Sequence, residues 1–325
     1  MTSVGTNSPV LVTGVAGFIG SHTAERLLAQ GRRVIGVDNF DPYYDVQMTR
    51  RNVEAVSRVG GGRFEFVEGD IADAGGMQRV FEAGKPGGVI HLAAKAGVRP
   101  SIEDPAGYSR ANVLGTAVVF EEARRAACDR IVVASSSSVY GNAKSAPFSE
   151  TQDVNEPISP YAATKRACEI MGHAHRHLTG MPTAMLRFFT VFGPRQRPDL
   201  AIQKFLVQVS RGEGIVMFGD GTTSRDYTYI DDIVTGVLAA YERIPEFGYR
   251  VWNLGGSSPV TLKEMIATIG RVVGREPVVE RKPMQPGDVE RTWADLTRSG
   301  AELGYRPTTT FEDGVRRQWE WIRKG

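Results

Sequence analysis

The chain has 325 residues, of which 41% are hydrophobic and 23% charged. That composition excludes disordered, collagen-like and small disulfide-scaffold proteins, and the length supports a large core of the size at which one domain tends to become two. With 39 basic and 37 acidic residues the formal charge is +2, so no global field recruits nucleic acid or a membrane surface, and an anion must be held by local groups.

Residues 1–9 are polar and carry no apolar signal segment. No stretch approaches the roughly 18–20 apolar residues that cross a bilayer. Short apolar runs at residues 10–13, 33–37, 63–67, 89–92 and 131–134 read as strands, and amphipathic stretches lie between them. Residues 21–30 form one such helix, closed by Gly31. Apolar strands without strict alternation, separated by helices, predict an α/β protein with a doubly wound parallel sheet buried on both faces.

After the first strand, Gly14, Gly17 and Gly20 are spaced three apart. Gly14 allows a sharp turn, Gly17 lets backbone approach a pyrophosphate, and Gly20 lets the helix pack against the sheet. Amide groups at the helix start then face diphosphate charge. Asp38 ends the second strand, where a carboxylate binds both ribose hydroxyls and repels a 2′-phosphate, favouring NAD over NADP. Gly60, Gly61 and Gly62 have no such context and read as a loop. Asp70 and Ile71 follow the third strand and either reach the adenine or serve the loop. Leu92, Ala93 and Ala94 are small enough for a cofactor to pass. Asn112, in the helix after Pro105, orients the neighbouring loop or a ribose, or is a buried structural amide.

The tract Ser135 to Ser138 sits at the carboxyl end of the fifth strand, where open α/β sheets bind ligands. One serine there can bond a reacting oxygen; others can satisfy their own loop. Ser159 and Pro160 read as the N-cap and first position of a helix. Lys165 then shares a face with Tyr161, four residues earlier. An ammonium and a nicotinamide cation beside a phenol favour its phenolate, which can take a hydroxyl proton as hydride leaves the same carbon. By itself the pair also fits a surface helix.

Beyond about Thr190 the alternation is lost, and Pro194, Pro198, Pro245, Pro259, Pro277, Pro283 and Pro286 divide the chain into short elements. This predicts a nucleotide-binding domain over residues 1–187 and a smaller α/β substrate-binding domain over 188–325, with a segment near 228–250 returning to the first. His173, His175 and His177 lack a completing ligand set, so no metal is expected. Cys128 and Cys168 cannot make a disulfide framework and imply a reducing, cytoplasmic setting. Arg316, Arg317, Arg323 and Lys324 decorate a helix that docks through Trp319 and Ile322, a solvated face.

Taken together, Thr13 to Gly20, Asp38-Asn39, His91 to Ala94, Ser135 to Gly141, Tyr161 to Lys165, Leu186 to Pro194, Arg225 to Asp232, Trp252 to Gly255 and Pro286 to Asp288 resemble the extended short-chain dehydrogenase/reductase family, and within it the nucleotide-sugar epimerases. The resemblance implies a Rossmann sheet with bound NAD held by Gly14, Gly17, Phe18, Ile19, Gly20, Asp38, Asn39, Asp70, Ile71, Leu92, Ala93, Ala94, Asn112, Tyr161 and Lys165. It implies Tyr161 as base, Lys165 as its electrostatic partner and Ser136 as third catalytic group. Residues 39–45, 96–101, 193–199 and 284–289 look most like UDP-glucuronate 4-epimerases. Lys95 stands where Gln is more usual, and Gln285 where galactose-type enzymes place an Arg.

By the same resemblance Arg225 grips the diphosphate or ribose and Asp288 the ribose hydroxyls, with Val216 and Phe218 beside uracil. Ser137, Ser138 and Thr190 donate to a carboxylate, while Arg99 and Arg197 stand near the sugar. Related 4,6-dehydratases place Asp-Glu at Ser137-Ser138, and related decarboxylases an acid at Ser138. The implied reaction is redox-neutral inversion at C4 through a 4-keto sugar. UDP-glucose 4-epimerase, UDP-glucuronate decarboxylase and a non-catalytic NAD-binding regulator are the alternatives. The apolar helices at residues 113–120 and 162–171 resemble those that pair in homodimers of this family.

Overall fold

A computed structural model of the chain describes residues 8–283 and 289–324. The chain folds into two compact units. The first runs to Gly141 and adds Asp153–Arg187 and Val234–Trp252; the second holds Asn142–Gln152, Phe188–Ile233 and the chain from Asn253 onward.

The first unit begins β1 (Val10–Thr13), α1 (Phe18–Ala29), β2 (Val34–Asp38), α2 (Val46–Gly60), β3 (Phe64–Glu68), α3 (Ala74–Gly84) and β4 (Gly88–His91). Then come the short helices α4 (Val98–Glu103) and α5 (Pro105–Tyr108), a π-helical turn (Ser109–Leu114) and α6 (Gly115–Arg125). β5 (Ile131–Ser136), a short 3-10 helix (Ser137–Tyr140), α7 (Pro160–Thr179) and β6 (Thr183–Phe188) follow. The seven-stranded sheet has the order β10-β6-β5-β4-β1-β2-β3, closed by β10 (Tyr249–Leu254). The pairings of β1 with β2 and β4, of β2 with β3 and of β4 with β5 are all parallel. β1, β4 and β5 are buried along their whole length, as strands sandwiched between helix layers must be. Leu11, Val89, Ile131 and Val133 are fully or almost fully buried in that core, each such side chain contributing about 1.5–3 kcal/mol by burial.

In the second unit β7 (Thr190–Phe192), α8 (Ala201–Arg211), β8 (Ile215–Phe218) and β9 (Ser224–Tyr229) precede α9 (Ile230–Phe247), which begins there and continues into the first unit. After β10 come β11 (Pro259–Thr261), α10 (Leu262–Val273), β12 (Val279–Lys282), α11 (Thr297–Leu303) and α12 (Phe311–Arg323). Three strands form the sheet β11-β9-β7 and two more the pair β12-β8. A capping box starts α10: the Glu264 amide donates to Thr261 Oγ1, and the Glu264 carboxylate accepts from the Thr261 amide.

Three local expectations change. β5 continues to Ser136, two residues past its apolar run, because both serines are buried at the end of the strand. Gly60 ends α2 and residues 61–63 form one 3-10 turn rather than a plain loop. Pro245 does not break α9. The ring removes the amide that would reach the Tyr241 carbonyl, and the Arg130 guanidinium donates to that carbonyl instead, at 3.2 Å.

Candidate functional site

The glycine turn between β1 and α1 has the shape of a cradle. Gly14 has φ +71°, and a Cβ there would meet the Ala93 amide nitrogen at 2.7 Å, so only glycine fits beside the end of β4. A Cβ on Gly20 would strike the Gly14 carbonyl. Gly17 is the N-cap of α1 in extended conformation, and no side chain caps the helix. Its first amide groups are left to an anionic ligand. Asp38 stands at the end of β2, accepting the Ala16 amide at 3.0 Å and the Phe40 amide at 2.9 Å. Burial pushes its carboxyl above the ordinary range, against the pull of those two amides. Buried Asn52 on α2, which no sequence motif singles out, donates to the Ala16 carbonyl at 2.9 Å and holds the turn from below. Asn39 accepts the Asp41 amide. These residues fit a dinucleotide: the Gly14 position tolerates no side chain, the helix start is uncapped, and a carboxylate waits at the ribose end of the cradle.

Asp70 accepts the Ala72 amide at 2.9 Å and a charged bond from Arg110 at 2.7 Å, one on each carboxylate oxygen, and neighbouring Ile71 is buried. Leu92, Ala93 and Ala94 are half-buried. The Ala93 amide donates to Thr13 Oγ1. That hydroxyl also bonds His91 Nδ1 at 2.7 Å, and His91 Nε2 meets Thr116 Oγ1 at 3.0 Å. Burial, with the nearby Lys165 charge, pushes the His91 imidazole down to about 3, so it is neutral and ties β1, β4 and α6 together under the cradle. Asn112 accepts the Lys95 amide at 2.8 Å and donates to the Lys95 carbonyl and to Thr164 Oγ1. It thereby ties the loop after β4 to α7. Lys95 itself reaches Asp104 at 3.2 Å and Asp41 at 3.8 Å.

Ser159 caps α7 by accepting the Ala162 amide, and Pro160 occupies the first turn. The Tyr161 amide donates to the buried Ser101 hydroxyl at 3.1 Å. Tyr161 meets the Tyr108 ring edge-on, 6.2 Å between centroids. Lys165, 4% exposed, donates through Nζ to the Ala134 carbonyl at 2.8 Å, two residues before Ser136. The four serines at the end of β5 separate by partner. Ser135 donates to Glu169 at 2.7 Å, and Glu169 is gripped by both arms of buried Arg187, each at 2.8 Å. Ser136 accepts the Ser138 amide at 3.1 Å, which leaves its own O–H to donate elsewhere. Ser137 and Ser138 are half-exposed.

Thr190, Val216, Phe218, Arg197 and Arg225 all lie in the second unit. Thr190 opens β7 opposite Tyr227. Val216 and Phe218 share the half-exposed face of β8, while Ile215 and Met217 point inward. Arg225 on β9 pairs in register with Val260 and donates to the Ser224 carbonyl. Arg197 grips Asp199 with two bonds, at 3.0 and 2.6 Å. Arg99 is an exposed residue of α4 in the first unit. Asp288 lies outside the described residues. The three histidines of α7 complete no metal site among the described residues. Two of them serve packing: His175 stacks on Phe120 at 4.7 Å and His173 meets Tyr249 edge-on.

The strand order, the glycine turn and Asp38 define a dinucleotide-binding α/β protein of the Rossmann type. A family model described as GDP-mannose 4,6 dehydratase matches residues 11–318, and the chain belongs to that family. It is 40% identical to a probable UDP-glucuronate 4-epimerase of Rhizobium meliloti, with 96% of each chain covered. It is 38% identical to the UDP-glucuronate 4-epimerase of Thermodesulfobacterium geofontis over 97% of this chain and 96% of the relative. Among solved structures it is similar to the UDP-glucuronic acid 4-epimerase of Bacillus cereus in complex with UDP-glucuronic acid and NAD. There the TM-score is 0.90 at 34% identity, covering 97% of this chain and 99% of that one.

Proposed function

We propose that the protein is an NAD-dependent 4-epimerase that interconverts UDP-glucuronate and UDP-galacturonate. The relatives above act on or bind UDP-glucuronate by name, and the cradle accepts a dinucleotide. One observation separates this reaction from the dehydration that names the family. At the carboxyl end of β5 the two half-exposed positions are the neutral hydroxyls Ser137 and Ser138, and neither is a carboxylate. Eliminating water needs an acid and a base there. Short neutral donors suit a bound uronate instead.

In this reading Gly14, Gly17, Phe18, Ile19 and Gly20 hold the diphosphate of NAD and Asp38 with Asn39 its ribose; Ile71, Leu92, Ala93 and Ala94 line its path. Bound NAD supplies a reversible hydride acceptor at C4 of the sugar. Tyr161 takes the O4 proton and gives it back to O4 once the 4-keto sugar has turned its other face toward the hydride donor, so that C4 is inverted and the proton balance is closed. Lys165, held to the Ala134 carbonyl, keeps a positive charge near that phenol, and Ser136 donates its O–H to O4. Ser137, Ser138 and Thr190 hold the carboxylate. The 4-keto uronate is a β-keto acid, so fixing its carboxylate away from the cleavage geometry protects it from losing carbon dioxide. Arg225 and Asp288 retain the nucleotide while the sugar turns, with Val216 and Phe218 beside the base and Arg99 and Arg197 near the sugar.

Exposed Leu114, Ile170 and Leu178 lie on the π-helical turn and α7, which pack together, and a second copy of the chain would cover them in a homodimer. Buried free Cys128 and Cys168 suit a reducing cytoplasm. Incubation with UDP-glucuronate, followed by mass spectrometry and NMR of the product, tests the reaction. UDP-galacturonate of unchanged mass supports it; a UDP-pentose with loss of carbon dioxide makes the protein a decarboxylase.

A further inference from the structure

We infer that Gln318, in the middle of α12, is a positioning residue for the nucleotide sugar, acting through buried hydrogen bonds to Gly193 and Gln196 that set the loop carrying Arg195 and Arg197. The inference rests on the proposed function, in which Arg197 stands near the sugar. Gln318 is fully buried, Gln196 is 1% and Gln203 7% exposed. A primary amide has one oxygen and two N–H groups, and Gln318 commits all three. Its Oε1 accepts the Gly193 amide at 3.0 Å, and its Nε2 donates to Gln196 Oε1 at 2.9 Å and Gln203 Oε1 at 2.8 Å. Gln196 Nε2 in turn donates to the Val191 carbonyl at 2.9 Å.

The amide orientations are forced. The Gly193 N–H can only donate, so oxygen of Gln318 must face it. The Val191 carbonyl can only accept, so nitrogen of Gln196 must face it and its oxygen is left for Gln318. The loop is thus held at Gly193 and Gln196, one residue before Arg197. Between them the backbone is unusual: Gly193 has φ +140° and a Cβ there would meet Ile230 at 2.7 Å, while Arg195 has φ +66°. A non-glycine residue in that region persists only where its surroundings fix it. The hold comes from a helix more than 100 residues downstream.

Gln318→Met keeps the volume but leaves three buried polar groups without partners. Gln203→Met removes the one arm that does not touch the loop and serves as the packing control. In steady-state assays of the full chain with UDP-glucuronate, Gln318→Met should raise KM roughly tenfold, as loss of buried hydrogen bonds implies, while kcat and bound NAD stay near wild type. Gln203→Met should leave KM unchanged. Hydrogen exchange of the 193–200 peptide and tryptic cleavage after Arg195 read the loop without using activity. Both should accelerate in Gln318→Met and not in Gln203→Met. If Gln318→Met does not fold, Gln196→Met breaks the same hold from the loop side and carries the same expectation. Wild-type loop exchange and KM in the Gln318 or Gln196 variant, or equal changes in the Gln203 variant, would overturn the inference. Failure of the wild-type protein to turn over UDP-glucuronate would sink only the functional reading. Loop exchange then decides the positioning: faster in Gln318→Met than in Gln203→Met supports it, and equal rates overturn it.

Discussion

At the residue scale the chemistry concentrates in a few side chains whose partners are already set. Tyr161 is proposed as the base at O4, so Tyr161→Phe should lower turnover by about 10²–10⁴-fold while NAD remains bound, checked by activity and by the nucleotide released on denaturation. Unchanged turnover would remove the proposed base. His91 makes a separate prediction about pH. Its folded-state pKa is depressed to about 3, below an unfolded value near 6.5. The unfolded chain therefore binds more protons between those values, and stability falls as the pH drops through that window. At pH 5 the loss from His91 alone is about 2 kcal/mol. Chemical denaturation at pH 7 and pH 5 should show that difference, and His91→Gln should shrink it; a pH-independent midpoint would contradict the neutral imidazole.

At the scale of elements, α7 carries the site because its start and its face are both fixed from elsewhere. Ser159 caps it immediately before Tyr161, so Ser159→Ala should lower stability by about 1 kcal/mol and also reduce kcat, measurable by thermal melts and assay. One turn beyond Lys165, Glu169 lies buried between Arg187 and Ser135. Glu169→Gln leaves the Arg187 charge uncompensated, and should lower stability by about 3–5 kcal/mol. A melting temperature within a degree of wild type would show that the pair does not brace β6 against α7. The cap, the proline and the Tyr-Lys spacing were legible in the sequence, because all are relations within one turn of helix. Glu169 was not, because its partner is 18 residues away and lies on the next strand.

For the whole molecule, the proposed homodimer rests on apolar groups that the chain alone leaves in water: Ile170 is 55% and Leu178 80% exposed. Ile170→Glu should halve the mass seen by light scattering without altering the fold; a wild-type protein already monomeric at micromolar concentration would refute the dimer. No described helix is long and apolar enough to cross a membrane.

The alternation of buried strands and amphipathic helices, the glycine turn, Asp38 and the Tyr161–Lys165 pair could be read from the chain itself. Each depends on spacing over a few residues, where backbone geometry dictates which side chains share a face. Only the folded molecule decided which serine caps a turn and which braces α7, that Asn112 ties a loop to a helix, that Arg130 replaces the bond Pro245 cannot make, and that Gln318 holds Gly193. The last three are hydrogen bonds between segments 17 to 125 residues apart, and a buried donor's partner is chosen by packing, about which local sequence is silent.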